Sequence, residues 1–206
     1  MPSATKKAFF GGCVFEVCEN VYEPAEDSFL FAENLRIAKG ERVLDMGTGC
    51  GILGIVAAQT AGEVFAVDVN PYAVPCASKN AFLNCVRKKM VLLRADLFTA
   101  FGDTTGFDVI LFNAPYLPAE ESEADSWLGR AWAGGETGRQ VIDRFLSQSP
   151  RHLKQKGRIL LMQSTLADVK ETQRQFAERQ MVARVVASLS LPFFETLTLL
   201  EAKFDL

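Results

Sequence analysis

The stretch Leu44-Asp45-Met46-Gly47-Thr48-Gly49-Cys50-Gly51-Ile52-Leu53-Gly54 limits the fold more than any other part of the chain. A short apolar run that stops at closely spaced glycines and resumes as a helical pattern is the beginning of a βα unit. Glycines there let the backbone turn tightly and leave the first N–H groups of the next helix open to a ligand. The alternation recurs downstream. Periodicity predicts strands at 43–46, 63–69, 90–94, 108–112 and 158–162, and helices at 52–60, about 71–86, 140–153 and 167–180. Two late strands, 183–189 and 195–204, follow each other closely enough to pair antiparallel. Upstream, 13–17 alternates as an edge strand or cap would, and a helical face begins after Pro24 and stops before Gly40. Such a pattern is an α/β chain: a seven-stranded, mostly parallel sheet with an antiparallel edge and helices on both faces.

Composition fits one globular domain over residues 1–206, with an N-terminal extension and helix in 1–39 and the α/β core in 40–206. At 49% hydrophobic and 23% charged residues, the chain is neither disordered nor fibrous. No apolar run approaches the roughly 18 residues of a membrane span. Lys6-Lys7 before the apolar stretch 8–15 is too weak for a secretion signal, because Glu16 interrupts it and no small-residue cleavage site follows. A soluble, cytoplasmic protein is expected. Twenty-two basic against 25 acidic residues give a net charge of −3, which argues against duplex nucleic acid as the main partner. Five scattered cysteines read as reduced thiols, and with a single histidine, His152, they offer no four-ligand zinc set.

Three acids follow three successive predicted strands. Asp68 is placed to accept both hydroxyls of a ribose. Asp45, just before the glycines, would repel the pyrophosphate of a dinucleotide but welcomes a cationic amino-acid moiety. Asp96 can accept from an adenine amino group. Together they suit S-adenosylmethionine better than NAD, although Gly49, Gly51 and Gly54 alone would satisfy the dinucleotide pattern.

The fourth strand ends in Asn113-Ala114-Pro115-Tyr116. Here the chain resembles the class I methyltransferases that act on planar nitrogens through an Asn-Pro-Pro-Tyr tetrapeptide. More narrowly, it is similar to the HemK-like glutamine methyltransferases of the archaeal and eukaryotic type. The segment Val21-Tyr22-Glu23-Pro24-Ala25-Glu26-Asp27-Ser28-Phe29-Leu30 resembles their N-terminal signature. Trp132-Ala133-Gly134-Gly135, Gly138-Arg139 and Asp143-Arg144-Phe145 resemble their post-catalytic segment, and Glu195-Thr196-Leu197 falls in their final strand pattern. The resemblance implies a Rossmann-like fold and methyl transfer to the glutamine of the Gly-Gly-Gln tripeptide in class 1 release factors. It implies that Asp45 and Gly47 hold the methionine end of the cofactor with Ser28 nearby, Asp68 the ribose, and Asp96 with Leu97 the adenine, and that Gly49, Gly51 and Asn113 also belong to the cofactor site. Asn113 would accept one N–H of the target amide, the carbonyl of Ala114 the other, and Pro115 and Tyr116 would shape the slot. It also implies a small zinc-binding activator subunit that adds a strand to the exposed edge at 90–94, whose run Met90-Val91-Leu92-Leu93 is apolar for an open edge.

Elementary chemistry supports the tetrapeptide's role. A carboxamide nitrogen is a poor nucleophile, and two acceptors gripping its hydrogens can aim its lone pair and stabilise charge appearing on it. Ala114 in place of the first proline keeps the carbonyl and loses only a fixed φ, while Pro115 still biases it toward extended geometry. An adenine N6-methyltransferase acting on DNA or RNA, a protein lysine methyltransferase and a cofactor-binding subunit without turnover are the alternatives. The long segment 117–135 reads as a functional loop whose Glu120, Glu121, Glu123 and Asp125 either meet a basic substrate or are simply solvated. Trp132 reads as a closing residue or an anchor, and His152, between charged neighbours, as a surface residue.

Overall fold

The computed structural model describes residues 6–103 and 105–205, so residues 1–5 of the expected N-terminal extension lie outside the described residues. A hairpin of β1 (Lys6–Phe10) and β2 (Cys13–Val17) precedes helix α1 (Glu26–Glu33). Then follow β3 (Arg42–Met46), α2 (Ile52–Ala58), β4 (Glu63–Asp68), α3 (Ala73–Leu83) and β5 (Met90–Arg94). The second half runs β6 (Phe107–Asn113), α4 (Gln140–Gln148), β7 (Leu153–Ser164), α5 (Val169–Ala177), β8 (Met181–Ser190) and β9 (Thr196–Phe204). Strands β3 to β9 form a seven-stranded sheet in the order β5-β4-β3-β6-β7-β9-β8. All pairings are parallel except those of β9, which runs antiparallel between β7 and the edge strand β8. The expected architecture is the one found.

Both faces of the sheet are buried, which is why its central strands are apolar at nearly every position. Alternate residues divide between two cores. Val109, Leu111, Leu160 and Met162 pack with the α1–α2–α3 side, whereas Ile110, Phe112, Ile159 and Leu161 pack with α4 and α5 through Phe145, Leu146 and Phe176. The chain winds outward from β3 to β5 and then returns to β6 on the other side of β3. The carboxyl ends of β3 and β6 are therefore a topological switch point, where open α/β sheets leave a crevice.

Several element ends differ from expectation for local reasons. Helix α3 stops at Leu83 instead of continuing to residue 86. Cys85 adopts φ 60, and Cys85 and Val86 donate to the carbonyls of Phe82 and Ala81, closing the helix as a Schellman turn without a glycine. Helix α4 stops at Gln148, because Pro150 has no N–H to continue it, and residues 149–152 form a 3₁₀ turn. His152, expected at the surface, is only 3% exposed and stacks on Phe98 with ring centroids 4.6 Å apart. Burial pushes its pKa down. A 3₁₀ turn has no face readable from a 3.6-residue period, so Arg151 and Lys154 were misleading neighbours.

The segment 13–17 is neither an edge of the main sheet nor an isolated cap. It pairs with β1, and its other edge is closed by Asn80 on α3 and by Asn84, the residue that caps that helix. Asn80 exchanges hydrogen bonds with the N–H and C=O of Glu16 at 2.8 and 2.9 Å, and Asn84 does the same with Val14 at 2.9 and 2.8 Å. This fastens the hairpin to α3 and delivers the following residues, 18–28, to the end of the sheet.

Candidate active site

A cavity of about 460 Å³ opens at the switch point, within the size range of small-molecule sites. The turn after β3 forms its floor. Gly47, Gly49 and Gly51 have φ of 67, 55 and 93, a left-handed sequence that residues with a Cβ rarely follow. Thr48 N–H donates to the carbonyl of Val67 at 3.0 Å, and Gly49 N–H donates to Asp68 Oδ2 at 2.9 Å, so the end of β4 holds the turn. Asp68 lines the cavity with its other oxygen accepting from Asn70 N–H at 2.9 Å, and burial raises its pKa.

Asp45 departs from expectation. It is 0% exposed and lies behind the glycine turn, outside the cavity lining. Its Oδ2 accepts from Thr48 Oγ1 at 2.6 Å and Gly54 N–H at 2.9 Å, while Oδ1 has no partner. Rather than facing a ligand, Asp45 braces the turn from beneath. Desolvation pushes its carboxyl from 3.8 up to about 7. Between those values the folded chain keeps a proton that the unfolded chain has released, so stability falls as pH rises, by roughly 1.4 kcal/mol per pH unit, and levels off above. Thermal melts of the ligand-free protein are expected to show this slope. Asp45→Asn keeps an acceptor for Thr48 and Gly54 and flattens it; an unchanged slope in that variant would assign the proton elsewhere.

At the far side of the cavity, Asp96 and Leu97 follow β5. Asp96 Oδ2 is paired with Arg144 at 2.6 Å. Leu97 is buried at φ 47 and opens a short 3₁₀ turn.

The wall opposite is built by two segments far apart in sequence. Asn113 ends β6, and α1 brings Asp27 and Ser28 against it. Asn113 Nδ2 donates to Asp27 Oδ2 at 2.9 Å and to Ser28 Oγ at 3.3 Å. A carboxylate oxygen can only accept, which fixes the amide's orientation. Asn113 Oδ1 is thereby left buried with no partner. Asp27 Oδ1 is held in turn by Ser28 N–H at 2.6 Å, Ser28 Oγ at 3.1 Å and the Tyr22 hydroxyl at 3.3 Å. Asp27 is the residue that sequence reasoning missed, although it stands within the N-terminal segment that carries the resemblance.

Ala114 is buried, and its N–H donates to Met162 C=O at 3.4 Å, a bond that proline could not make. This offsets the lost φ restriction by extending the β6–β7 ladder one residue. Pro115 and Tyr116 line the cavity next to it. Burial, then the charges of Asp27 and Glu195, raise the Tyr116 phenol well above its ordinary value. The segment 117–135 folds over the opening, as Leu117 N–H donates to Trp132 C=O at 3.0 Å and Gly134 N–H to Leu117 C=O at 2.8 Å. Trp127, Arg130 and Trp132 form the roof. Arg139 locks the segment that follows, with NH1 donating to Thr172 Oγ1 at 3.0 Å and NH2 to Asp143 at 2.7 Å.

The cavity thus joins the strand-end carboxylate of Asp68 and a glycine-rich floor, with the buried, unpartnered Asn113 Oδ1 in its wall. Comparison with known proteins agrees with that chemistry. A family model described as ribosomal protein L11 methyltransferase (PrmA) matches residues 27–114. A Methanocaldococcus jannaschii protein named protein N5-glutamine methyltransferase is 41% identical over 191 residues, which are 91% of this chain and 94% of that one. Methyltransferase HEMK2 of Homo sapiens is 34% identical over 154 residues, 69% of this chain and 71% of HEMK2. Among solved structures, the E. cuniculi Mtq2–Trm112 complex, responsible for methylation of the eRF1 translation termination factor, matches with a TM-score of 0.66 at 25% identity, over 90% of this chain and 99% of that one. In sequence and in fold alike, this chain belongs to the HemK-like protein N5-glutamine methyltransferases.

Proposed function

We propose that the protein transfers a methyl group from S-adenosylmethionine to the side-chain amide of the Gly-Gly-Gln glutamine in a class 1 translation release factor, in the cytoplasm. The observation that carries this reading is the buried, unpartnered Oδ1 of Asn113, turned away from Asp27 and into the cavity wall. The residues present fit the cofactor. Asp68 would take the ribose, Asp96 and Leu97 the adenine, and the turn at Gly47, Gly49 and Gly51, braced by Asp45, would carry the methionine end with Ser28 nearby. Bound there, S-adenosylmethionine supplies an electrophilic methyl on a sulfonium whose sulfur leaves neutral.

The chain's own residues handle the amide. Asn113 Oδ1 accepts one N–H of the target and the Ala114 carbonyl accepts the other, turning the nitrogen lone pair toward the methyl and stabilising the positive charge that develops. Pro115 and Tyr116 border the slot, and the Tyr116 ring packs along the amide plane. Asp27 is a positioning residue that prevents Asn113 from presenting its NH₂ instead. The contact between α1 and β6 supports treating residues 1–39 and 40–206 as one catalytic unit.

The edge strand β5 supports the partner reading. Among the described residues it pairs only with β4, and it leaves Val91 exposed, with Phe82 and Leu83 exposed at the nearby end of α3. A small zinc-binding activator subunit adds a strand there, as a role like that of Trm112 in the E. cuniculi complex would require. Transfer of labelled methyl from S-adenosylmethionine to a purified release factor, with and without the small subunit, tests both parts. Label on the glutamine, increased by the subunit, is the expected result. Label appearing only on nucleic acid or on lysine would replace the substrate reading. Full solubility and cofactor binding by the isolated chain would remove the activator.

A further inference from the structure

The hairpin joining β8 to β9 carries two side chains that nothing in the fold explains. Phe193 and Phe194 are 96% and 103% exposed, as bare as side chains become. Their backbones have φ of 62 and 65, a left-handed conformation that is rare for one bulky residue and costly for two in succession. Leu191 N–H donates to Glu195 C=O at 2.8 Å and closes the turn, but neither phenyl ring is covered by the fold. The tip also stands at a particular place. Asn113 pairs with Met162 on β7, and Met162 and Ser164 pair with Leu199 and Leu197 on β9. The tip therefore projects beyond the same end of the sheet as the Asn113–Tyr116 segment. Leu166, also exposed, lies between them on the turn after β7. The 117–135 loop, whose Ala124, Trp127 and Arg130 line the same cavity, presents Glu120, Glu121, Glu123 and Asp125 to solvent.

We infer that the 192–195 hairpin tip is a docking anchor for the folded protein substrate: Phe193 and Phe194 enter an apolar recess beside its glutamine loop while the acidic loop meets a basic flank. The inference rests on the methylation of a release factor proposed above and adds how that factor is chosen. Exposed aromatics seated at the centre of an interface are its usual energetic anchors. A rim with apolar residues on one side and carboxylates on the other selects a partner of the complementary kind. A short peptide carrying the glutamine reaches Asn113 without touching the hairpin, so anchor and chemistry are separable.

The test is steady-state kinetics of wild type and the double variant Phe193→Ser/Phe194→Ser on two substrates, the whole release factor and a short synthetic peptide spanning its glutamine. The expected result is a KM for the factor raised about tenfold or more with kcat unchanged, and unaltered kinetics on the peptide. An unchanged KM for the factor, with wild type active, overturns the docking alone. An equal loss on both substrates overturns it by showing a structural effect. A wild-type dimer in sedimentation that the variant dissolves overturns it in favour of a second copy of this chain. Wild type that labels neither substrate even with the small subunit present removes the substrate reading, and the docking with it.

Discussion

Asp27→Asn is expected to cost nearly as much activity as Asn113→Ala, with kcat lowered by about 10²–10³ in each and cofactor affinity almost unchanged. For Asn113→Ala the reason is direct, since the side-chain oxygen proposed to accept the target N–H disappears. For Asp27→Asn it runs through orientation. Asp27 Oδ1 is pinned by Ser28 N–H, Ser28 Oγ and the Tyr22 hydroxyl, so an introduced amide keeps its oxygen there and turns its NH₂ toward Asn113. Two NH₂ groups cannot face each other. Asn113 rotates, donates nothing to position 27, and offers the substrate hydrogens where an acceptor is needed. Asp27→Ala frees the amide without forcing it over and loses less. Single-turnover methyl transfer across the three variants checks this order. Activity of Asp27→Asn close to wild type would show that the carboxylate does not set the amide.

The second large effect is expected at Gly138, outside the cavity. Its φ is +72, and a Cβ there would come within 2.3 Å of the Tyr116 carbonyl oxygen and 3.3 Å of Pro118 Cδ. Neither atom belongs to a flexible side-chain end. Gly138→Ala must push back the backbone that carries Tyr116, and displacing a reacting group by about 1 Å costs roughly 10² in rate. Left-handed strain adds about 1–3 kcal/mol of destabilisation. Gly102→Ala is the matched control, since a Cβ there meets nothing within 4 Å among the described residues. Melting curves and kcat for the two variants separate the outcomes: Gly138→Ala loses both stability and rate, Gly102→Ala neither.

Much of this molecule was readable beforehand, and the exceptions share a cause. β5 was bounded correctly because an apolar run between turn residues carries its own limits, and the glycine turn followed from local backbone demands. The tetrapeptide could be located on the cavity wall because its four residues are contiguous. Asp27 could not, since its meaning depends on Asn113, 86 positions away, and nothing local distinguishes it from another acid opening a helix. Asp45 was misplaced for a related reason: a sequence puts a carboxylate next to a turn without saying on which side of it. The end of α3 was missed because Cys85 occupies a position where glycine is the usual signal.

The two asparagines at the end of α3 have a consequence for how the protein can be shortened or worn. By standing in for a neighbouring strand, Asn80 and Asn84 make residues 6–17 a removable-looking appendage that is in fact tied to the scaffold carrying the cavity wall. A protease cut after the hairpin would leave the side-chain oxygens of both amides without partners and slacken the tether leading to Tyr22 and Asp27. Slow deamidation at either position would set a carboxylate against the C=O of Glu16 or Val14, and the enzyme would age by losing its grip on its own beginning.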